Sequence, residues 1–470
     1  MQTIYSALKL TLRYLPLFLL FMVGNVSAQT KKEEKKLWKT VRQQMPEYKK
    51  VFKQHDKYRF EIIYGRVNHQ PAQLPSIQFF HYGNDQTYFY PASTVKLPVA
   101  LRSLQKLNRI EQEFQVKEKT WFLRFEDSSL CGSPVPPTKA IHYLRVQRPL
   151  SIHQAAASCK LSVEDFLAIN PVDTTVKVLP GQHLQTGRYP EPVSIQEMIN
   201  EMLVYSNNNA YNVLFDFSMG ETCLTEKGIK IAHRFRPCIG YDVDNSKAHR
   251  LYNSDQSYSS VFASVPIINR QAKLFQKGYD VGRAVVMTDS LTIHRPKNFT
   301  SNNAMQLQSV LNLIIELNYP GYLPANSFYT INDEQRKMLL NYLCMRPRED
   351  KYVTDTSYLH LPDNYTNYLY TGQRPVSLPK NIRIINIVGQ SYGFITDCMY
   401  FVDEDKKIDF FLAARIYANS DGVLNDDAYE YETLAFPLFE ALGKTIYGIE
   451  EKRQKEFVTN PGWLFQIFQE

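Results

Sequence analysis

The sequence predicts an α+β protein in which strands from both ends of the chain form one antiparallel sheet flanked by helices. Near the amino end, 58–65 and 76–83 read as two strands, rich in aromatic and β-branched residues and joined by a turn that contains proline. Three further strand patterns lie near the carboxyl end, at 382–388, 399–402 and 408–417. Most of the helical patterns lie between these two groups, so we expect a central helical lobe inserted into the sheet domain.

The composition is typical of a soluble globular protein, and the amino end predicts export. Of 470 residues, 44% are hydrophobic and 21% are charged, and the chain is long enough for two or three domains. The net charge of +7 is spread along the chain and predicts no nucleic-acid partner. Residues 1–28 resemble a cleavable signal peptide, with a basic start, the apolar run 15–23 and small residues before Gln29. We therefore expect a periplasmic or secreted protein without a transmembrane segment after processing.

Apolar residues at helical spacing predict the helices of the chain. No cysteine spacing is typical of a metal site, and Cys223 with Cys238 is a candidate disulfide pair in an exported protein. Loops rich in polar residues are expected at 241–259 and 346–379. The predicted helices are 35–55, 93–107, 193–205, 224–235, 303–317, 333–345 and 431–452.

The segment 127–190 differs from its surroundings and begins and ends with proline-rich stretches. Its patterns are strand, helix, helix and strand, a small βααβ unit. The stretches Ser-Val-Glu-Asp-Phe-Leu…Asn-Pro and Pro-Gly-Gln-x-Leu resemble LysM modules, a family that binds glycans containing N-acetylglucosamine, such as peptidoglycan. The resemblance implies glycan binding through 140–188, and the alternative is an inserted helical hairpin without a ligand. The predicted layout is signal peptide 1–28, sheet domain 29–126, inserted module 127–190, helical lobe 191–380 and the rest of the sheet domain 381–470.

Ser93 and Lys96 are the first candidates for catalysis. They stand three residues apart at the start of a predicted helix, so the Ser93 hydroxyl and the Lys96 amine share one face. A serine needs a neighbouring base to become a nucleophile, and a lysine that gives up its proton can be that base. Ser-x-x-Lys also occurs at ordinary helix starts, so this pair alone does not assign a function.

Two more motifs follow in a fixed order. Ser206-Asn207-Asn208 forms a polar break between two helical patterns, and such amides are costly to bury unless each finds a partner. Gly389-Gln390 ends a predicted strand. The order of Ser-x-x-Lys, Ser-x-Asn and this strand resembles the class A β-lactamase and penicillin-binding serine hydrolase family. The likeness covers nearly the whole mature chain apart from the inserted module.

The resemblance implies a role for each matched residue. Ser93 would attack the carbonyl of a β-lactam or a peptide-like amide, and Lys96 would be its general base or help to orient it. No metal or organic cofactor would be needed. Ser206 would relay a proton to the leaving nitrogen, and Asn208 would hold Lys96 and the substrate amide. The backbone N–H groups of Ser93 and Gln390 would form the oxyanion hole. The positions implied to contact substrate are Gly389, Gln390 and Asn207.

Three departures from the family pattern weaken this interpretation. Asn207 replaces the acid of the usual Ser-Asp-Asn motif. Ile387 stands where the family has the lysine that grips a substrate carboxylate, and we considered a replacement cation from Arg383, Arg415 or Lys380. No Glu-x-x-Leu-Asn supplies a deacylating glutamate, although 221–225 is partly similar, so hydrolysis of an acyl-enzyme should be slow. The alternative is a degenerate member that only binds peptidoglycan or acts as a scaffold.

Overall fold

The computed structural model describes residues 31–115, 121–126, 143–145, 151–158, 163–164, 167, 183–185, 193–219, 224–233, 235, 248–253, 259–263, 272–288, 291–323, 329–350, 360–372 and 374–457. The predicted signal peptide, the candidate pair Cys223–Cys238, the stretch 221–223 and most of the second helix of the inserted module lie outside these residues.

The helices and strands follow in chain order. The helices are α1 (31–44), α2 (Lys49–Lys53), α3 (Lys96–Phe114), α4 (Ile152–Ser158), α5 (Ile195–Val204), α6 (Asn208–Met219), α7 (Leu307–Asn318), α8 (Asp333–Cys344) and α9 (Phe436–Lys452). The strands are β1 (Glu61–Gln70), β2 (Gln73–Gly83), β3 (Trp121–Glu126), β4 (Tyr143–Arg145), β5 (His183–Gln185), β6 (Val193–Ser194), β7 (Leu224–Glu226), β8 (Ile229–Ile231), β9 (Ala248–Asn253), β10 (Ser259–Ala263), β11 (Asp280–Val281), β12 (Ala284–Thr288), β13 (Leu291–Ile293), β14 (Lys297–Asn298), β15 (Ala304–Met305), β16 (Ile382–Ser391), β17 (Phe394–Asp403), β18 (Ile408–Tyr417) and β19 (Val423–Leu424).

A five-stranded antiparallel sheet in the order β16-β17-β18-β1-β2 is built from both ends of the chain, as predicted. The strands β16, β17 and β18 are almost fully buried on both faces, whereas the edge strand β2 is partly exposed. Along β18, Phe410 and Leu412 pack with α9 and α1, whereas Phe411 and Ala413 pack with the helices of the central lobe. This alternation is the period of two that a pleated strand imposes. The sheet is therefore a platform with helices on each side, and the central lobe lies on the face that carries α3.

Two of the sequence predictions for the central part of the chain are wrong. Residues 224–231 form the hairpin β7–β8, where a helix was expected, because Lys227 and Gly228 both have positive φ and make a two-residue turn that suits antiparallel strands. The loop expected at 241–259 contains β9, which pairs with β3 and with β10. Pairing with the distant strand β3, rather than local sequence, makes this segment a strand.

The helix predicted at 35–55 is divided into α1, a short 3-10 turn at Pro46–Tyr48 and α2, because proline starts a helix more readily than it continues one. In the inserted module, β4 pairs antiparallel with β5, and α4 follows β4, which agrees with the predicted first strand, first helix and last strand. Within the part of the chain that the structure describes, no helix is long and apolar enough to cross a membrane.

Asp397 on β17 fastens a neighbouring loop to the sheet. Its carboxylate accepts hydrogen bonds from the backbone N–H groups of Tyr368 and Leu369, at 2.9 and 2.8 Å, and from Asn386 Nδ2 at 3.0 Å. Burial raises the pKa of Asp397 to about 6, against the hydrogen bonds, which lower it. The Asp397 carboxyl therefore keeps its proton in the folded protein at pH values at which it has lost it in the unfolded chain.

Replacing Asp397 with asparagine should remove a pH dependence of stability. Because the folded-state pKa lies above the unfolded value, the contribution of Asp397 to the free energy of unfolding is greatest at low pH and falls as pH rises towards 6. Between pH 4.5 and 7.5 the fall is on the order of 2 kcal/mol. Urea unfolding of wild type and Asp397→Asn at both pH values measures it. A difference between the two proteins that stays the same at both pH values would contradict this assignment.

Candidate active site

Ser93 lies in a 3-10 turn, Ala92–Val95, that runs directly into α3. Ala92 has a φ of 45°, a left-handed conformation that costs a non-glycine residue about 1 kcal/mol or more and often marks a functional site. The turn brings Lys96 Nζ to 3.0 Å from Ser93 Oγ. Ser93 is half-buried and Lys96 is fully buried, so the residue that carries the hydroxyl is partly accessible to solvent and the one that carries the amine is not.

The second motif meets the first at the Lys96 amine. A capping box of Ser194 and Glu197 starts α5, which ends just before Ser206, a second residue with left-handed backbone at φ 56°. Lys96 Nζ lies 2.8 Å from Ser206 Oγ, 2.5 Å from Ser206 O and 2.9 Å from Asn208 Oδ1. With Ser93 Oγ, four oxygens lie within hydrogen-bond distance of one amine, which has at most three N–H groups to donate. The structure thus brings together the four residues predicted to be catalytic.

The described contacts of the Asn207 side chain lie within the protein. Its Nδ2 donates to Glu201 Oε2 at 2.8 Å, and its Oδ1 accepts from the backbone N–H of Ala210 at 3.1 Å. These contacts place Asn207 at the junction of α5 and α6, and the substrate contact expected for it stays a prediction. They also explain the departure from Ser-Asp-Asn, because an aspartate could not donate to Glu201 and would repel it.

The third motif lies against the backbone of the nucleophile turn. A Cβ at Gly389 would come within 2.2 Å of Pro91 O and 3.1 Å of Ser93 N, so only glycine fits there. β16 is an edge strand of the described sheet, so it pairs with a neighbouring strand on one side only. The Gln390 side chain is exposed, and its Oε1 accepts from Tyr368 Oη at 3.3 Å. The oxyanion role of the Gln390 N–H stays a prediction.

The described contacts place no substitute for the missing lysine at Ile387. Arg383 is bound to the Glu349 carboxylate at 2.8 and 3.0 Å. Arg415 is 2% exposed, pairs with Glu61 at 2.5 Å and lies over the Phe89 ring, so its charge is already paired with a buried carboxylate. Lys380 precedes β16 and is nine residues, about 30 Å of extended chain, from Gly389. Ile387 itself is buried in the core.

Sequence reasoning missed Phe235, whose ring centroid lies 5.4 Å from Lys96 Nζ. The segment was predicted as the end of a helix, and no local pattern marks it. Asn212 holds it from α6: Phe235 N donates to Asn212 Oδ1 at 2.9 Å, and Asn212 Nδ2 donates to Phe235 O at 3.1 Å. Nearby, the ring of His233 stacks on that of Tyr90 with centroids 5.9 Å apart.

Comparisons with known proteins gave no matching family model and no matching curated protein. Solved structures align over most of the chain at low identity. A beta-lactamase from Burkholderia ambifaria is 9% identical over 86% of this chain and 98% of its own, with a TM-score of 0.35. A class A beta-lactamase from Clostridium kluyveri is 11% identical over 86% of this chain and 98% of its own, with a TM-score of 0.34. A mutant of PBP-A, solved as an acyl-enzyme complex with penicillin G, is 11% identical over 87% of this chain and 96% of its own, with a TM-score of 0.37. TM-scores at this level carry no structural conclusion, so the site is interpreted from its own geometry.

Proposed function

We propose that this protein is an exported serine hydrolase of the penicillin-binding or class A β-lactamase type, which forms an acyl-enzyme on Ser93. The observation that supports this most strongly is the buried Lys96 amine within hydrogen-bond distance of two serine hydroxyls and an asparagine amide. A buried amine between two hydroxyls can move a proton from one to the other. The substrate class would be a β-lactam or a peptidoglycan-like amide.

In the proposed reaction, neutral Lys96 accepts the proton of Ser93 as Ser93 Oγ attacks the carbonyl carbon. The backbone N–H groups of Ser93 and Gln390 stabilise the oxyanion by about 3 kcal/mol each. The C–N bond then breaks, and Ser206 Oγ passes the proton from Lys96 to the leaving nitrogen. The product is an ester on Ser93, and water must supply the second half of a hydrolysis. No organic cofactor enters these steps.

Intact-protein mass after incubation with benzylpenicillin tests the proposal. We expect a persistent adduct of penicillin mass on the wild type, and a peptide map should locate it on Ser93 rather than on Ser206, the other hydroxyl beside Lys96. Ser93→Ala should carry no adduct while it unfolds at the wild-type temperature. Adduct formation on Ser93→Ala, or neither adduct nor penicillin consumption by the wild type, would overturn the proposal.

The alternative is a degenerate protein that binds peptidoglycan without catalysis. Ile387 and the missing deacylating glutamate favour it, because both remove groups on which substrate turnover depends. The intact contacts among Ser93, Lys96, Ser206 and Asn208 favour the hydrolase, because a chain without catalysis has no need to bury a lysine between two hydroxyls.

We also propose that the inserted module binds peptidoglycan glycan through 140–188. The pairing of Tyr143 with Gln185 supports this, because it closes the segment into a unit with adjacent ends. The full chain should sediment with insoluble peptidoglycan, and a chain in which a short Gly/Ser linker replaces 140–188 should stay in solution. Equal sedimentation of both proteins would assign any binding to the hydrolase domain.

A further inference from the structure

Residues 232, 233 and 235 form neither helix nor strand, yet buried side chains fix their backbone and the Phe235 ring centroid lies 5.4 Å from Lys96 Nζ. Asn303 Oδ1 accepts from the N–H groups of Ala232 and His233, at 2.7 and 3.1 Å. Tyr211 Oη donates to His233 O at 3.1 Å. Both asparagines that hold this segment, Asn212 and Asn303, have no exposed surface. The side chain at position 235 is therefore placed by the fold and not by its own packing alone.

The ring of Phe235 forms an apolar wall beside the Lys96 amine. It is 9% exposed, and its centroid lies 4.4 Å from that of the Tyr211 ring. Hydrolysis of an ester on Ser93 requires a water molecule beside the carbonyl carbon and a base that takes a proton from it. A phenyl ring can neither accept that proton nor hold the water by a hydrogen bond.

We propose that Phe235 determines the fate of the acyl-enzyme: it occupies the place beside Lys96 from which a base would activate water, and so it makes the ester on Ser93 persist. This inference rests on the proposed function. In the reaction that Phe235 suppresses, water adds to the ester carbonyl and loses a proton to a base. The bond between the acyl carbon and Ser93 Oγ then breaks, and the proton returns to Ser93. The group that stays bound to Ser93 is thus the acyl part of a β-lactam or an amide substrate.

The test replaces Phe235 with glutamate and, as a matched control, with glutamine. Each protein is loaded with benzylpenicillin, free antibiotic is removed, and the decay of the adduct is followed by intact mass. Phe235→Glu should lose the adduct about 10²-fold faster than the wild type, the contribution of one general base. Glutamine has the length of glutamate and is also polar, but it is not a base. The adduct on Phe235→Gln should therefore decay far more slowly than the adduct on Phe235→Glu. The decay rate of Phe235→Glu should also rise with pH as the carboxyl ionises.

Phe235→Ala provides a second measurement if the glutamate is not tolerated. It leaves space beside Lys96, so sodium acetate should accelerate the decay of its adduct, whereas equal sodium chloride should not. Adducts that form on all variants but decay equally, with no response to glutamate or to acetate, would overturn the inference. A wild type that never forms an adduct would instead overturn the proposed function, so the two failures are distinguishable.

Discussion

Replacing Lys96 with methionine is expected to slow the acylation of Ser93 by about 10³-fold, within the range of one general base. Methionine keeps the length and the apolar stem but removes the amine that contacts Ser93 Oγ, Ser206 Oγ and Asn208 Oδ1. Proton removal from Ser93 and proton delivery through Ser206 are then lost together. The rate of adduct formation with penicillin, by intact mass under pseudo-first-order conditions, measures the effect.

Lys106→Met is the matched control on the same helix. Lys106 is partly buried, donates to Phe217 O at 2.7 Å and lies 4.6 Å from the Phe217 ring, and burial lowers its pKa to about 8. It thus resembles Lys96 in its partners, a carbonyl and a phenyl ring, but its described contacts include neither serine of the site. Lys106→Met should acylate at the wild-type rate. An equal loss in both variants would show that α3 was disturbed, and no loss in Lys96→Met would remove Lys96 from the mechanism.

The parts of the site that could be predicted from the sequence depend on local geometry. Ser93 and Lys96 meet because three residues of a helical turn separate them, and the strands of the sheet are marked by their composition and by the turns between them. The contacts of Ser206 and Asn208 with Lys96 were expected from the order of the motifs. Local sequence rules do not predict them, because these residues lie more than a hundred positions from Lys96.

The parts that could not be predicted depend on contacts between distant segments. The hydrogen bond from Asn207 to Glu201 is one example, because nothing in the neighbouring sequence indicates it. Phe235 looked like the end of a helix, but hydrogen bonds from distant residues, among them the pair to Asn212, fix the segment that places it beside Lys96. The missing cation at Ile387 is the reverse case: the sequence showed the loss, and the structure shows that Arg383 and Arg415 are bound to carboxylates instead.

Gly389→Ala is expected to slow acylation by about 10²-fold or more, comparable to the loss of one oxyanion donor. The new Cβ would meet Pro91 O at 2.2 Å, and a backbone atom in a turn cannot rotate away as a flexible side chain would. β16 must therefore move from the turn that carries Ser93. Because the proposed oxyanion hole uses one N–H from each, the two donors can no longer bind the same oxygen.

Two other glycines separate this effect from a general loss of stability. A Cβ at Gly443 on α9 would be equally crowded, 2.2 Å from Tyr370 N, but on the face of the sheet away from α3. Gly443→Ala should therefore unfold at a lower temperature and still acylate at the wild-type rate when folded. Gly448, on the same helix, has no neighbour within 4 Å of a Cβ, so Gly448→Ala should stabilise the protein by about 0.5–1 kcal/mol. If crowding alone slowed acylation, Gly443→Ala would be as slow as Gly389→Ala. If only Gly389→Ala is slow, the close approach of β16 to the nucleophile turn is a requirement of the chemistry.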